Sequence, residues 1–161
     1  MSPATPPTSA PSIKQIATNR KARHLYNVLE TFETGIALVG PEVKSLRAGQ
    51  ASLVDSYAQF QGGELFLLGM HVAAYDPANR WNPDPVRARK LLMHRMEMKR
   101  LFGKTSQRGW TMVPLRLYFK GSKVKVELGL VTGKKLHDKR ETIKRRDQER
   151  EMRREMRESR K

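Results

Sequence analysis

The chain has no cysteine among its 161 residues. That excludes disulfides, thiolate nucleophiles and cysteine-ligated metals, and fits a reducing compartment. Aromatic residues make up only 7%. Acidic residues are half as numerous as basic ones, 16 Asp and Glu against 32 Lys and Arg. No run approaches the roughly 20 apolar residues that a membrane-spanning helix needs. The opening MSPATPPTSAPS lacks the basic and apolar regions of a secretory signal. The expectation is a soluble, cytoplasmic protein without metal or cofactor.

What is present is positive charge, +16 in all. Residues 134–161 hold 13 Lys and Arg against 7 Asp and Glu, and residues 1–133 hold the other 19 against 9. The excess is therefore a property of the body as well as the tail. Such a field draws in polyanions, and nucleic acid releases counterions for each phosphate neutralised. An anionic membrane would call for an amphipathic helix with Leu or aromatic residues on one face. The tail has only Leu136, Ile143, Met152 and Met156 as apolar residues.

Residues 1–12 are Pro, Ser, Thr and Ala, an extension expected to be disordered. Residues 13–133 read mostly as β. His24–Gly40 is expected as one long strand, bent near Thr34-Gly35, with the preceding Asn19–His24 leading into it. Pro41–Gly49 is expected as a short helix. Gly62-Gly63 separates two alternating runs and predicts a tight hairpin. A second hairpin is predicted across Gly121-Ser122. Leu115, Leu117 and Phe119, with Val124, Val126, Leu128 and Leu130, would face inward, and Arg116, Tyr118, Lys120, Lys123 and Lys125 would face water. Between the hairpins the pattern suggests a helical insert starting after Asp84, broken near His94 and ended by Gly103. Short strands and tight hairpins with helices between them suggest an OB-like closed antiparallel β-barrel, a mainly β fold with flanking short helices. A β-sandwich is the alternative. Residues 134–161 form a basic tail, expected to be disordered when free.

Motifs for catalysis are scarce. Phe102–Ser106 brushes against a phosphate loop, but Met98 stands where the leading glycine is required. The four histidines are scattered and none has metal-ligand spacing. The basic clusters carry more information. Asn19–His24 offers cations, an amide and an imidazole suited to phosphates, sugars and base edges. Arg87, Arg89 and Lys90 form a second cluster, and Lys123 and Lys125 share a strand face. Glu33 and Glu42 run against this field. Each is either a salt-bridge partner or an acceptor for a base amino group or a 2′-hydroxyl.

The blocks NRKARHLY, GPEVKSLRAGQASLVDSYAQ, GELFLLGMHVAAY, RARKLLMH and MVPLRLYFKGSKVKVELGLVTGKKLHDKR follow in this order. They closely resemble the SmpB family of SsrA-binding proteins over about Ile16 to Arg146. The resemblance implies an oligonucleotide-binding barrel and no enzymatic activity. It implies a monomer that binds the tRNA-like part of transfer-messenger RNA and has no membrane role. It also implies a ribosome partner, with the tail becoming helical in the empty mRNA channel at the small-subunit decoding centre. By motif, the RNA surface would hold Asn19, Lys21, Arg23, His24, Glu33, Glu42, Lys44, Arg47, Leu92 and Lys125, with Lys90 from the second basic cluster. Gly133, Lys134, Lys135, His137, Asp138, Lys139 and Arg140 would face the ribosome. Met93 stands where the family block usually has Leu, and DPANRWNPDP is less typical of the family.

Overall fold

The computed structural model describes residues 10–107, 109–134 and 136–159, without the side chains of residues 78, 79 and 136–139. Most of the Pro-rich extension, and Lys135 of the expected ribosome-facing set, lie outside the described residues. The side chains of His137, Asp138 and Lys139 do so too.

Among the described residues, nine strands and four α-helices follow one another. They are β1 (Ile13–Thr18), α1 (Arg20–Leu25), β2 (Tyr26–Ile36), α2 (Gly40–Arg47), β3 (Ala51–Ser52), β4 (Tyr57–Gln61), β5 (Glu64–Leu68), β6 (His71–Val72), β7 (Arg89–Leu92), α3 (Arg95–Thr105), β8 (Trp110–Lys120), β9 (Lys123–Gly133) and α4 (Leu136–Glu158). A 3-10 turn spans Asp76–Trp81. Strands β8, β4, β5, β7, β2 and β9 pair antiparallel in that order, and β9 pairs back onto β8. The strands thus form a closed ring without free edges between them. β1 lies along the second half of β8.

Both expected hairpins are present. Gly62 and Gly63 have φ of 59° and 78°, the left-handed values a tight primed turn needs. The core fills the ring. Leu65, Leu67, Leu91, Leu117, Val126, Leu128 and Leu130 are fully buried. Each such burial is worth about 1.5–3 kcal/mol relative to exposure.

Several expectations are corrected. Asn19 is the N-cap of α1, so residues 20–25 are helical rather than the start of the long strand. The irregularity in β2 lies between Val28 and Glu30, not at Thr34-Gly35. The insert after Asp84 is a turn followed by strand β7, and helix begins only at Arg95. His94 caps that helix by accepting from the Met96 N–H, and the helix continues through Gly103 to Thr105. Pairing of β7 with both β5 and β2 satisfies its backbone, which outweighs local helix preference. Inside β8 a register shift between Pro114 and Arg116 turns Leu115 away from Leu117. Leu115 packs instead with Ala22, Val113 and Val131 beneath α1. Tyr118 is buried rather than free in water. The tail, expected to be disordered when free, is one helix, α4.

Candidate nucleic-acid interface

Pairing of β2 with β7 on one side and β9 on the other draws Glu33, Leu92 and Lys125 onto one patch. In β2, Gly35 pairs with Leu92 of β7 on one side and Lys125 of β9 on the other. Lys125 in turn pairs with Tyr118 of β8. The row therefore reads Leu92, Gly35, Lys125, Tyr118 across four strands. A Cβ at Gly35 would sit 3.3 Å from Leu92 Cβ. The glycine leaves the backbone open between an apolar and a cationic side chain, and a partner can approach closely there. Leu92 is half exposed, unusual for a leucine beside the core.

Glu33 lies two residues before Gly35 in β2, on the same face. Its register partner is Glu127, a like-charge pair that by itself disfavours the sheet. Both carboxylates are compensated. Glu127 accepts from Arg116 Nε at 2.7 Å, and Glu33 accepts from the Tyr118 hydroxyl at 2.6 Å and Lys120 Nζ at 3.0 Å. The Tyr118 bond first, and then Lys120, hold the Glu33 carboxyl below its ordinary value. Burial and the Glu33 bond push the Tyr118 hydroxyl up to about 12, so it stays a donor at neutral pH. Glu33 remains partly exposed and can still accept from a partner. Motif spacing does not single out Gly35, Tyr118 and Lys120, which the fold places beside Glu33, Leu92 and Lys125. Their pairing row is decided by non-local register, which motif spacing does not carry.

Glu42 behaves differently. It is 2% exposed and closed by two guanidinium groups. Arg87 Nη2 donates to one oxygen at 2.7 Å and Arg89 Nε to the other at 2.9 Å. The Val39 N–H also donates to it, at 3.1 Å, at the start of α2. Burial alone would raise this carboxyl, but Arg87, the Val39 N–H and Arg89 outweigh it and hold it low. Arg89 has no exposed surface and also donates to the Met70, Arg87 and Pro85 carbonyls. Glu42 is thus the salt-bridge partner of the two readings, and Arg89 belongs to the interior. Lys90, the next residue along β7, points outward to Glu64 at 2.7 Å. Lys44 lies on the exposed side of α2 with Nζ 5.2 Å from the Tyr75 ring centroid. Arg47 borders a cleft with Lys14 and the Gly121-Ser122 turn.

The α1 residues lie at the other end of the β2–β9 pair. Tyr26 pairs with Gly133 and Gly35 with Lys125, nine residues apart, about 30 Å at roughly 3.3 Å per residue. The expected RNA surface is therefore divided. Asn19 is buried and its side chain is fully used. Its amide donates to the Leu53 and Pro114 carbonyls and its oxygen caps Ala22. It positions α1 rather than meeting a partner. Lys21 and Arg23 are exposed, and Lys21 pairs with Asp55 at 2.9 Å. Buried His24 Nδ1 has no hydrogen-bond partner among the described residues. Beside this helix the chain order runs past Gly133. The Lys134 N–H donates to the Leu25 carbonyl, and its Nζ reaches the Arg23 carbonyl and the Thr142 hydroxyl. Arg140 is exposed on α4.

Comparison with known proteins bears on this site. The family model described as SmpB protein matches residues 16–158. The SsrA-binding protein of Carboxydothermus hydrogenoformans is 56% identical over 139 residues, 86% of this chain and 93% of that protein. That of Syntrophobacter fumaroxidans is 54% identical over 146 residues, 91% of each chain. A chain in a solved structure described as "tmRNA-SmpB: a journey to the center of the bacterial ribosome" is 51% identical. It aligns with a TM-score of 0.64 over 74% of this chain and 85% of that one. Similarity at this level along nearly the whole length leaves one assignment: the chain belongs to the SmpB family.

Proposed function

We propose that the protein binds the tRNA-like part of transfer-messenger RNA and brings it to stalled ribosomes for trans-translation. It acts there as a binding protein, not an enzyme. The observation that carries the reading is the patch of Glu33, Gly35, Leu92 and Lys125, assembled from β2, β7 and β9. It offers an acceptor, an open backbone, an apolar contact and a cation, the mixture that structured RNA recognition uses. The relatives are named for binding SsrA, and the structural neighbour is described with tmRNA on the bacterial ribosome.

In this reading α4 enters the mRNA channel. Its charge density suits an RNA-walled space, where phosphates compensate cations that repel one another in water. Glu141–Arg145 and Glu149–Arg153 each favour helix by a few tenths of a kcal/mol, whereas Arg150–Arg154 and Glu151–Glu155 oppose it. In this reading the helix docks only in an empty channel, and its docking reports the absence of mRNA.

The test is a competition of transfer-messenger RNA against bulk tRNA, run with the full chain and with a chain cut after Lys135. Both proteins should prefer transfer-messenger RNA, and only the full chain should support tagging on stalled ribosomes. Equal affinity for the two RNAs would reduce the protein to a general RNA-binding module.

A further inference from the structure

The segment between β6 and β7 is long, yet it is held at three points. At its start, the Ser45 hydroxyl of α2 donates to the Ala73 carbonyl at 2.7 Å, and the Ala73 N–H donates to the Gln50 carbonyl at 3.0 Å. Across its middle, Asn82 grips both backbone groups of Tyr75. Its Oδ1 accepts from the Tyr75 N–H at 2.8 Å and its amide donates to the Tyr75 carbonyl at 2.9 Å. At its end, Arg87 and Arg89 are fastened to Glu42, and the Val72 N–H donates to the Pro85 carbonyl. Pro77, Pro83 and Pro85 restrict the backbone further. A polar surface loop does not need this many anchors.

At the crest of the segment stands Trp81, 75% exposed. The Arg80 guanidinium lies 5.6 Å from its ring centroid. Such a cation occupies one face of an indole and leaves the other to solvent. At the foot, Lys44 lies over Tyr75. The result is an anchored segment that carries two aromatic rings, each with a cation beside it, on a basic body. Tryptophan is the side chain with most to gain from burial, and fixing it in water yields no folding energy.

We infer that Trp81 is a stacking platform for one unpaired base of the bound RNA, with Arg80 and Lys44 meeting the neighbouring phosphates. Stacking on an aromatic ring needs no base-specific hydrogen bond, so the platform tolerates any base. Preordering of the loop lowers the entropy lost when the base docks. The inference rests on the transfer-messenger RNA reading for the identity of the RNA. It also gives Glu42 a role without RNA contact, as the buried anchor that keeps this loop in position.

The experiment uses the full chain. A Trp110→Phe variant leaves Trp81 as the single tryptophan reporter. Its fluorescence should be quenched by the tRNA-like domain of transfer-messenger RNA, with saturation matching a filter-binding isotherm. In the otherwise native chain, Trp81→Ala should weaken that binding about tenfold, with an unchanged salt slope. Trp81→Phe should restore most of the affinity. Arg80→Ala should lower the salt slope by about one phosphate. Affinity of Trp81→Ala within twofold of the native chain overturns the inference and leaves the ring to a protein partner. If the native chain does not prefer transfer-messenger RNA over bulk tRNA, the functional reading falls instead. The stacking inference is then decided by a short single-stranded oligoadenylate, and absence of Trp81 quenching with that probe overturns it.

Discussion

The ring and the tail helix are held together by opposite means. In the ring, backbone pairing is non-local and the side chains fill a common core, with Leu65, Leu67, Leu117 and Leu128 wholly buried. In α4 the hydrogen bonds are local. Ile143, Met152 and Met156 are 45%, 54% and 64% exposed, so these three side chains gain little from the fold. Just before the first turn of α4, Lys134 bonds to the Arg23 carbonyl and to Thr142 of the helix. The contrast separates an element that carries its own stability from one whose stability depends on surroundings. Helices without a packed face are marginal in water, even at more than 20 residues.

The contrast can be broken most severely from inside the ring. Glu42→Ala leaves the Arg89 guanidinium buried without its carboxylate. It should cost about 3–5 kcal/mol of unfolding free energy in urea titration. A loss under about 1 kcal/mol would mean that water or another acceptor replaces Glu42.

A smaller effect, readable without altering the neutral-pH protein, comes from acid. The Glu42 carboxyl is lower in the folded state than its ordinary 4.5. Its stabilisation is therefore complete above about that value and is lost as pH falls through the folded-state value. The stability gap between the native chain and Glu42→Gln should be constant near neutrality and close as pH drops below the ordinary carboxylate range. A gap independent of pH would show that charge on Glu42 is not what stabilises the fold. Glu33 and Glu30 are held low in the same direction, but both chains share them.

The smallest effect belongs to the tail. Ile143→Ala should move the thermal unfolding of the ring by less than about 0.5 kcal/mol equivalent. A larger shift would reveal packing between α4 and the body that the exposure of Ile143 does not imply.

Much of this arrangement was legible beforehand. Gly62-Gly63 and Gly121 mark their hairpins because a tight primed turn needs left-handed backbone that glycine adopts freely. Asn19 is suited to capping a helix, yet the sequence does not reveal α1, since a six-residue helix leaves almost no periodic signal. The sequence pattern suggests helix at β7 because Arg89 occupies an inward position where alternation calls for an apolar side chain. The basic cluster of Arg87, Arg89 and Lys90 illustrates the difficulty for the site. Three neighbouring cations look alike in the chain, yet the fold sends Arg89 inside, ties Arg87 to Glu42 and leaves Lys90 to Glu64.

By itself the sequence determined the closing hairpins, the polyanion preference and the isolation of the tail. These follow from local backbone freedom, net charge and a lack of apolar residues, none of which depends on distant contacts. Only the tertiary structure decided which face each residue occupies. A period of two sets relative alternation, and one extra residue at the shift between Pro114 and Arg116 reverses it. Pairing of β2 with both β7 and β9, likewise, is what brings Leu92, Gly35 and Lys125 into one row from three separate stretches of chain. Tertiary packing of α2 against Arg87 and Arg89 buries Glu42 while Glu33 stays partly open, because burial is set by what packs around a carboxylate and not by its neighbours in sequence.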